Sequence, residues 1–506
     1  MKYRLRFGWD SIHGWWQMRD FRQLPAATDA DLGIPLPDSE HACSVALPTW
    51  NSVIGYEEGR DRVTAHLQTG YPRFVRSPQV KQAIQQAAKE LNVEPGCVFL
   101  FPTKTAAQRA QRWVESRAGV AATSTRFRAF QVVVVPESGI GCAREYQRLT
   151  GEIVSTRLAA DGFEGDVSGE LKTHLLQRRL ARIYQTDESQ CHVFGNGMAA
   201  VTSVLRSLPR LSEGKKTLQI EFPYADCLKV QEHFGNGVVF LNEAEGEPFE
   251  EALRRISTGE FAAVFTEVPS NPLLRCVDLP KLSAVCRGSE TPLVVDDSSV
   301  GPWNVRVLPF ADVVTGSLTK WLSGSGDVMG GVAVVSKESP VASELLAGLE
   351  RESREVVPLY LKDTQVMLAN LKTFAKRMEQ PNRNGLRIAG LLSAHPAVET
   401  VWHPSITTRE TYDKVRTKEG GYGGLLSFAL KSPRRAAKVY DSLRVSKGPS
   451  FGTVFSLACP YVLLAHYREL EWAEGCGVPS HLIRVSCGEE PTELLEEVFT
   501  EALRHG

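Results

Sequence analysis

With 506 residues, 42% of them hydrophobic and 23% charged, the chain has ordinary globular composition and a length that suits two or three domains. A formal net charge of -1 excludes a global basic footprint for nucleic acid or an anionic membrane. Ten scattered cysteines without a C-x-x-C pair fit neither a zinc motif nor a small disulfide scaffold, and read as reduced thiols.

Nothing in the N-terminal stretch MKYRLRFGWDSIHGWWQMRD resembles the apolar core of a signal peptide. No apolar run reaches the roughly 18 residues needed to span a bilayer. The expectation is a cytoplasmic chain with no membrane or nucleic-acid partner and no metal. Residues 1–75 read as an irregular N-terminal arm, with the Gly- and Pro-punctuated ALPTWNSVIGYEEG and TGYPRF at its end. Between 76 and 190 the pattern is mixed: VKQAIQQAAKEL and AAQRAQRWVES have helical spacing, CVFLF and FQVVVV suit strands, and LKTHLLQRRLARIY suits an amphipathic helix.

After residue 190 apolar strands and helices alternate. CHVF, TLQIEF, GVVFLN, FAAVFTE, TPLVVDD, ADVVTGS and GVAVVS are the strands, and ADCLKVQEHF, PFEEALRRI and LPKLSAVC are helices between them. Such βα units imply an α/β fold with a mainly parallel sheet covered by helices. Past residue 339 a long helical region bridges to a smaller α+β domain, 340–506. The large domain is thus 76–339, with 76–190 as an atypically long insert-bearing region.

Ligands of such sheets bind beyond the carboxyl ends of the strands. Four sites fall there. GNGMAA, 195–200, follows CHVF and fits G-x-G-x-x-A, with Glu221 ending the next strand, so a dinucleotide site is one reading. A phosphate-binding helix N-terminus or a purely structural turn are the others. SLTK, 317–320, spells S-x-x-K, but the chain has no S-D-N or K-T-G tripeptide to accompany a serine hydrolase. TEVPSNP and Asp296–Asp297 complete the set. A phosphate turn, a strand-end carboxylate and a strand-end lysine are together what pyridoxal phosphate requires: phosphate donors, an acid for the ring nitrogen and an amine for a Schiff base.

GSLTKWLSGSGDVMGG then closely resembles the cofactor-lysine motif of the Cys/Met-metabolism pyridoxal-phosphate enzymes, the cystathionine γ-synthase family. GMAA, EVPSNPLL, VVDDSS and LIRVSCGEE follow in that family's order, and GTVFSLACPYVLLAHYREL resembles its long-chain fungal branch. The resemblance implies fold-type I, amino-acid substrates, and a homodimer or homotetramer with sites at subunit interfaces. Lys320 matches the Schiff-base lysine and proton shuttle. Ser317, Thr319, Gly197 and Met198 match phosphate ligands, Tyr224 the ring-stacking tyrosine and possible base, and Asp296 the acid at the ring nitrogen. Asn271, Ser450 and Arg484 match residues at the substrate carboxylate, Asn271 also near the cofactor hydroxyl. Tyr71 and Arg73 match a pair that reaches the neighbouring subunit's phosphate.

The implied reaction is γ-substitution on an O-acyl-L-homoserine through a vinylglycine-type intermediate, with cysteine as nucleophile. The same substitution with a carbon or nitrogen nucleophile, and a C–S lyase, are the alternatives. A non-catalytic scaffold on the same fold is the different-class rival. The family's usual residues give way to Ser325, Gly326, Phe455, Cys227 and Lys229 here, which leaves the nucleophile open.

Overall fold

Short Val- and Phe-rich segments buried on both faces become most strands of the central sheet in a computed structural model describing residues 28–162 and 170–506. The first 27 residues of the expected arm lie outside the described residues. The 76–190 region forms its own antiparallel sheet, order β1-β3-β2, from β1 (Val98–Phe101), β2 (Thr123–Phe127) and β3 (Phe130–Val134). Helix Pro78–Leu91 starts with Ser77 as a side-chain cap and proline in its first turn, and it ends on left-handed Asn92.

The central sheet holds β4 (Cys191–Phe194), β5 (Thr217–Ile220), β6 (Val238–Leu241), β7 (Val264–Glu267), β8 (Leu293–Asp296), β9 (Val313–Ser317) and β10 (Gly331–Val335). Their order is β4-β10-β9-β8-β7-β5-β6. The β6-β5-β7-β8-β9 run is parallel, while β10 is antiparallel to both β4 and β9. Helices Gly197–Ser207 and Ala342–Glu355 pack on one side, in one apolar cluster with Val294 and Val313. Leu176, Leu180, Leu282 and Met367 lie in another, with Val295 and Val314 of the sheet. Alternate residues of β8 and β9 thus serve opposite faces, as a pleated strand requires.

A second sheet, β11 (Val398–Trp402), β12 (Leu425–Leu430), β13 (Ser446–Lys447), β14 (Leu457–Pro460) and β15 (Ile483–Ser486), has order β11-β12-β15-β14-β13. The bridge between the sheets departs from one long helix. It is broken after Glu355 and restarts at Leu361, and the next helix, Phe374–Ala394, absorbs NGLRIAGLLSA. Pro358 lies in the break, where its missing N–H and its effect on the preceding residue end helical pairing. The break has a use: the carbonyl of Val357 accepts from Gly195 N at 3.1 Å and so steadies the GNG turn. Among the described residues, no helix is long and apolar enough to cross a membrane.

Candidate active site

Strands β5, β7, β8 and β9 deliver side chains from their carboxyl ends to one cavity of about 260 Å³. Lys320 follows β9 by three residues. Its Nζ donates to Ser450 Oγ at 2.8 Å and lies 4.7 Å from the Tyr71 ring and 4.9 Å from the Phe451 ring. Burial, and then the Arg484 guanidinium, push the amine down to about 7. It is therefore half neutral near neutrality, as a nucleophilic lysine must be.

That shift has a consequence for the folded chain. An unfolded lysine titrates near about 10.4, so between about pH 7 and pH 10 the unfolded state binds more protons. Stability contributed by this group rises with pH across that window, and below it the full cost of burial is present. In the cofactor-free protein, Lys320→Met is expected to remove part of that rise in melting temperature. The wild-type minus variant difference isolates Lys320 from Lys447, which burial pushes to about 8.

Asp296 ends β8. Its oxygens accept from Ser298 N at 2.9 Å and Thr315 Oγ1 at 2.8 Å. Burial raises its pKa, and among the described residues no basic side chain is paired with it. A buried carboxylate that accepts one hydrogen bond at each oxygen and has no cation beside it suits a protonated ring nitrogen. Glu267 sits opposite Asp296 across the β7–β8 ladder. It is pushed up to about 8, by burial first and then by Asp296. Protonated or not, it accepts from the amides of Tyr224 and Asn271, at 2.7 and 3.0 Å.

The GNG turn feeds helix Gly197–Ser207, where Asn196 caps Ala199 N. The amides of Gly197 and Met198, the first two helical residues, have no partner within the helix and line the cavity. A Cβ on Gly197 would stand 3.1 Å from Ser317 Cβ and 3.2 Å from its Oγ. The backbone and the Ser317 hydroxyl thus approach as closely as glycine permits, a cradle for phosphate oxygens. Gly197→Ala is expected to weaken pyridoxal phosphate binding about tenfold, roughly the loss of one charge-assisted hydrogen bond, with the melting temperature of the cofactor-free protein little changed. Absorbance titration with the cofactor would check it.

At the opposite end Arg484, on β15, donates to Asn271 Oδ1 at 2.9 Å and to the Ser450 carbonyl at 3.0 Å. Its guanidinium lies 4.7 Å from the Tyr461 ring and 5.1 Å from the Phe451 ring. Ser450 holds φ at 88°, a strained conformation for a residue with a side chain, kept by its bonds to Lys320 and Arg484.

Tyr71, Arg73, Gly197, Met198, Tyr224, Asn271, Asp296, Ser317, Lys320, Ser450 and Arg484 all line this cavity. Thr319 does not: its hydroxyl is engaged with the Gly330 backbone at 3.2 and 3.4 Å. Burial raises the Tyr224 phenol well above its ordinary value, so it keeps its proton. Its hydroxyl accepts from Arg73 at 2.6 Å and donates to Asp226 Oδ2 at 3.2 Å.

Glu221 turns away to the amide of Ala244, 2.8 Å distant, and is not part of the cavity. Cys227 lines it, and burial raises the thiol well above its ordinary value, which keeps it unreactive. Ser325, Gly326 and Phe455 do not line it. Ser325 bonds to Ser323, Asp327 and Asn370, and Lys229 pairs with Glu469 at 2.6 Å.

Sequence reasoning missed Arg148, Glu57, Ser298 and Tyr461, all of which line the cavity. Ser298 stands inside the quoted VVDDSS and could have been found there. Glu57 and Tyr461 likewise stand inside the quoted GYEEG and GTVFSLACPYVLLAHYREL, whereas Arg148 comes from a segment with no motif to mark it. Burial raises Glu57 to about 7. Among the described residues no group of His, Cys, Asp or Glu is placed to hold a metal ion.

A family model described as Cys/Met metabolism PLP-dependent enzyme matches residues 146–504. Cystathionine γ-synthase of Neurospora crassa is 30% identical, over 94% of this chain and 98% of that protein. A cystathionine γ-synthase-like protein of Aspergillus thermomutatus is 31% identical, over 94% of each. L-2-amino-4-chloropent-4-enoate dechlorinase/desaturase of Streptantibioticus cattleyicolor is 32% identical, over 92% of this chain and 97% of that one. Among solved structures, cystathionine γ-synthase from Xanthomonas oryzae superposes with a TM-score of 0.59 at 24% identity, over 66% of this chain and 86% of the other, which supports the shared fold.

Proposed function

From the premise that this chain belongs to the Cys/Met metabolism pyridoxal-phosphate enzyme family, we propose that it catalyses γ-substitution on an O-acyl-L-homoserine with cysteine as the nucleophile. The observation that carries the proposal is the placement of a buried Lys320 and a buried, cation-free Asp296 beyond the ends of the neighbouring strands β9 and β8, in one cavity. Pyridoxal phosphate bound there supplies an electron sink for the substrate carbon that bears the amino group.

In this reading Gly197, Met198 and Ser317 hold the phosphate, with Tyr71 and Arg73, and Asp296 holds the ring nitrogen. Thr319 supports the cradle through its bonds to Gly330 rather than by contact. Tyr224, which keeps its proton and donates it to Asp226, would position the cofactor through its ring and leaves proton removal to Lys320. Arg484 offers a planar fork for the substrate's α-carboxylate, and Asn271 and Ser450 hold that fork in place. Lys320 takes the α-proton and returns a proton later in the turnover. Over the whole reaction the γ C–O bond and the thiol's S–H bond break, the acyl group leaves with the ester oxygen as a carboxylate, the thiol proton is released, and a C–S bond forms at the same carbon.

The second reading is the same γ-substitution with a carbon or nitrogen nucleophile. The Streptantibioticus relative, 32% identical, is named for a dechlorination and desaturation and not for cystathionine formation, so likeness at this level does not fix cysteine as the nucleophile. Mass spectrometry of products from purified protein, O-acetyl-L-homoserine and a panel of nucleophiles decides between the two. Cystathionine is expected with cysteine. Adducts with a β-keto acid or an amine, and none with cysteine, would overturn the nucleophile assignment.

A further inference from the structure

In the family this chain resembles, the Tyr-x-Arg pair reaches a neighbour's site. Here Tyr71 and Arg73 line the cavity of the chain that carries them. Arg73 is buried and heavily bonded. It donates to Asp226 Oδ2 at 2.7 Å, to Tyr224 OH at 2.6 Å and to the Arg148 carbonyl.

The path to that position is pinned to the same chain along its length. Cys43 N donates to the Gly326 carbonyl at 2.7 Å, and Leu47 N to the Lys447 carbonyl at 2.8 Å. Ser44 Oγ donates to the Pro449 carbonyl at 2.5 Å, next to Ser450. Trp50 N donates to Asp441 at 2.7 Å, and Tyr467 OH to Glu58 at 2.5 Å. Leu36 and Ala46 share an apolar cluster with Phe455 and Leu457.

Two departures from the family motif fall beneath this arm. Phe455 stands where the family has a glutamate, and it packs on the arm. Gly326 stands where the family has a serine. Its φ is +73°, and a Cβ there would be 3.2 Å from Pro37 and from Thr453. A carboxylate at 455 would be buried against Leu36, and a serine at 326 would be strained and crowded.

The long insert meets the arm at two bonds, Arg73 to the Arg148 carbonyl and Gln79 Nε2 to Glu40 at 2.8 Å, and is itself tied to the large domain. Its helix Ile140–Thr150 carries Arg148, whose Nε lies 3.7 Å from Asp226. The Gly151 carbonyl accepts from Asn196, the cap of the phosphate-cradle helix, at 2.7 Å.

We propose that each chain completes its own active site, with its arm held by the body and the 76–190 insert in the place the family gives to a neighbouring subunit. A tethered arm meets its seat at high effective concentration, so no association cost opposes it. The assignment of Arg73 to the cofactor rests on the proposed function; the path of the arm does not.

The test uses two full-length variants with different tags, co-expressed and purified through both tags. Lys320→Ala keeps an intact arm, and Arg73→Met keeps the lysine but is expected to bind pyridoxal phosphate at least about tenfold more weakly. With arms held in their own chains, no chain of the hybrid has both halves, and absorbance titration returns only the weakened affinity of Arg73→Met. Wild-type affinity in a share of the hybrid's sites would overturn the proposal. A chain that forms no hybrid is a monomer: wild-type cofactor binding by that monomer supports the proposal, and none overturns it.

A second measurement covers an Arg73→Met chain that fails to fold. Glu58→Cys and Tyr467→Cys, both outside the cavity, are combined in one chain and joined with a short bis-maleimide, each single variant controlling for native thiols. A product of monomer mass on a denaturing gel is expected, and a cross-linked dimer overturns the proposal. Neither readout needs turnover, so a failure of the γ-substitution reading would leave the path of the arm to be decided by itself.

Discussion

Lys320→Ala is expected to abolish the visible absorbance of bound cofactor and to lower turnover by about 10⁴-fold or more. Two functions are removed together: the amine that joins the cofactor, and the proton carrier, itself worth about 10² to 10⁴. The size of the effect follows from the isolation of the amine. It lies between Tyr71 and Phe451 with Ser450 as its hydrogen-bond acceptor. None of these can replace it as a base at neutral pH. Cys227, also in the cavity, keeps its proton because burial raises it. Lys320→Arg should fail as completely, because guanidinium does not deprotonate near neutrality. A small primary amine added to the alanine variant should restore part of the rate. The checks are an absorbance scan and single-turnover kinetics. An undiminished visible band in the alanine variant would remove Lys320 from the chemistry.

Arg484→Lys is expected to lower kcat/KM for the amino-acid substrate by about 10² to 10³, mostly through KM, with cofactor affinity retained. Truncating one side of a buried, hydrogen-bonded charge pair costs about 2–5 kcal/mol, which brackets that range. Lysine keeps the charge but loses the fork that presents parallel N–H groups to a carboxylate. It also leaves Asn271 Oδ1 and the Ser450 carbonyl without the donors they now have. Ser450 would then lose one of the bonds that hold its strained backbone. Steady-state kinetics beside an absorbance titration separates the two effects. A fall in cofactor affinity equal to the fall in kcat/KM would place Arg484 at the cofactor and not at the carboxylate.

Most of the central sheet was legible in the sequence because its strands, the half-buried edge strand β6 apart, are buried on both faces. VVFL and GVAVV are uninterrupted apolar runs, CHVF and TLQI are short apolar runs broken only by His192 and by Thr217 and Gln219, and helix ADCLKVQEHF matches the observed Ala225–Phe234 residue for residue. The helical region after residue 340 was less legible. Its apolar spacing continues through Pro358, so periodicity alone joins helices that the backbone separates. In the site, residues at strand ends were findable because their type is unusual for their place: a lysine after β9, an aspartate ending β8. Arg148 and Glu57 had no such mark. Arginine and glutamate on helices are ordinary surface residues until folding turns them into a cavity.

The sequence by itself determined the family and its cofactor. The residues proposed for that cofactor, a lysine after one strand, an aspartate at the next strand end and a glycine turn, each need a particular residue type at a particular strand end, and local patterning sets where the strands end. Only the tertiary structure placed Arg73 at the cavity of its own chain and showed what residues 325, 326 and 455 pack against. Those answers depend on contacts between residues hundreds of positions apart, such as Ser44 with Pro449. Hydrogen bonds and packing of that range are set by how elements dock, and periodicity carries no trace of them.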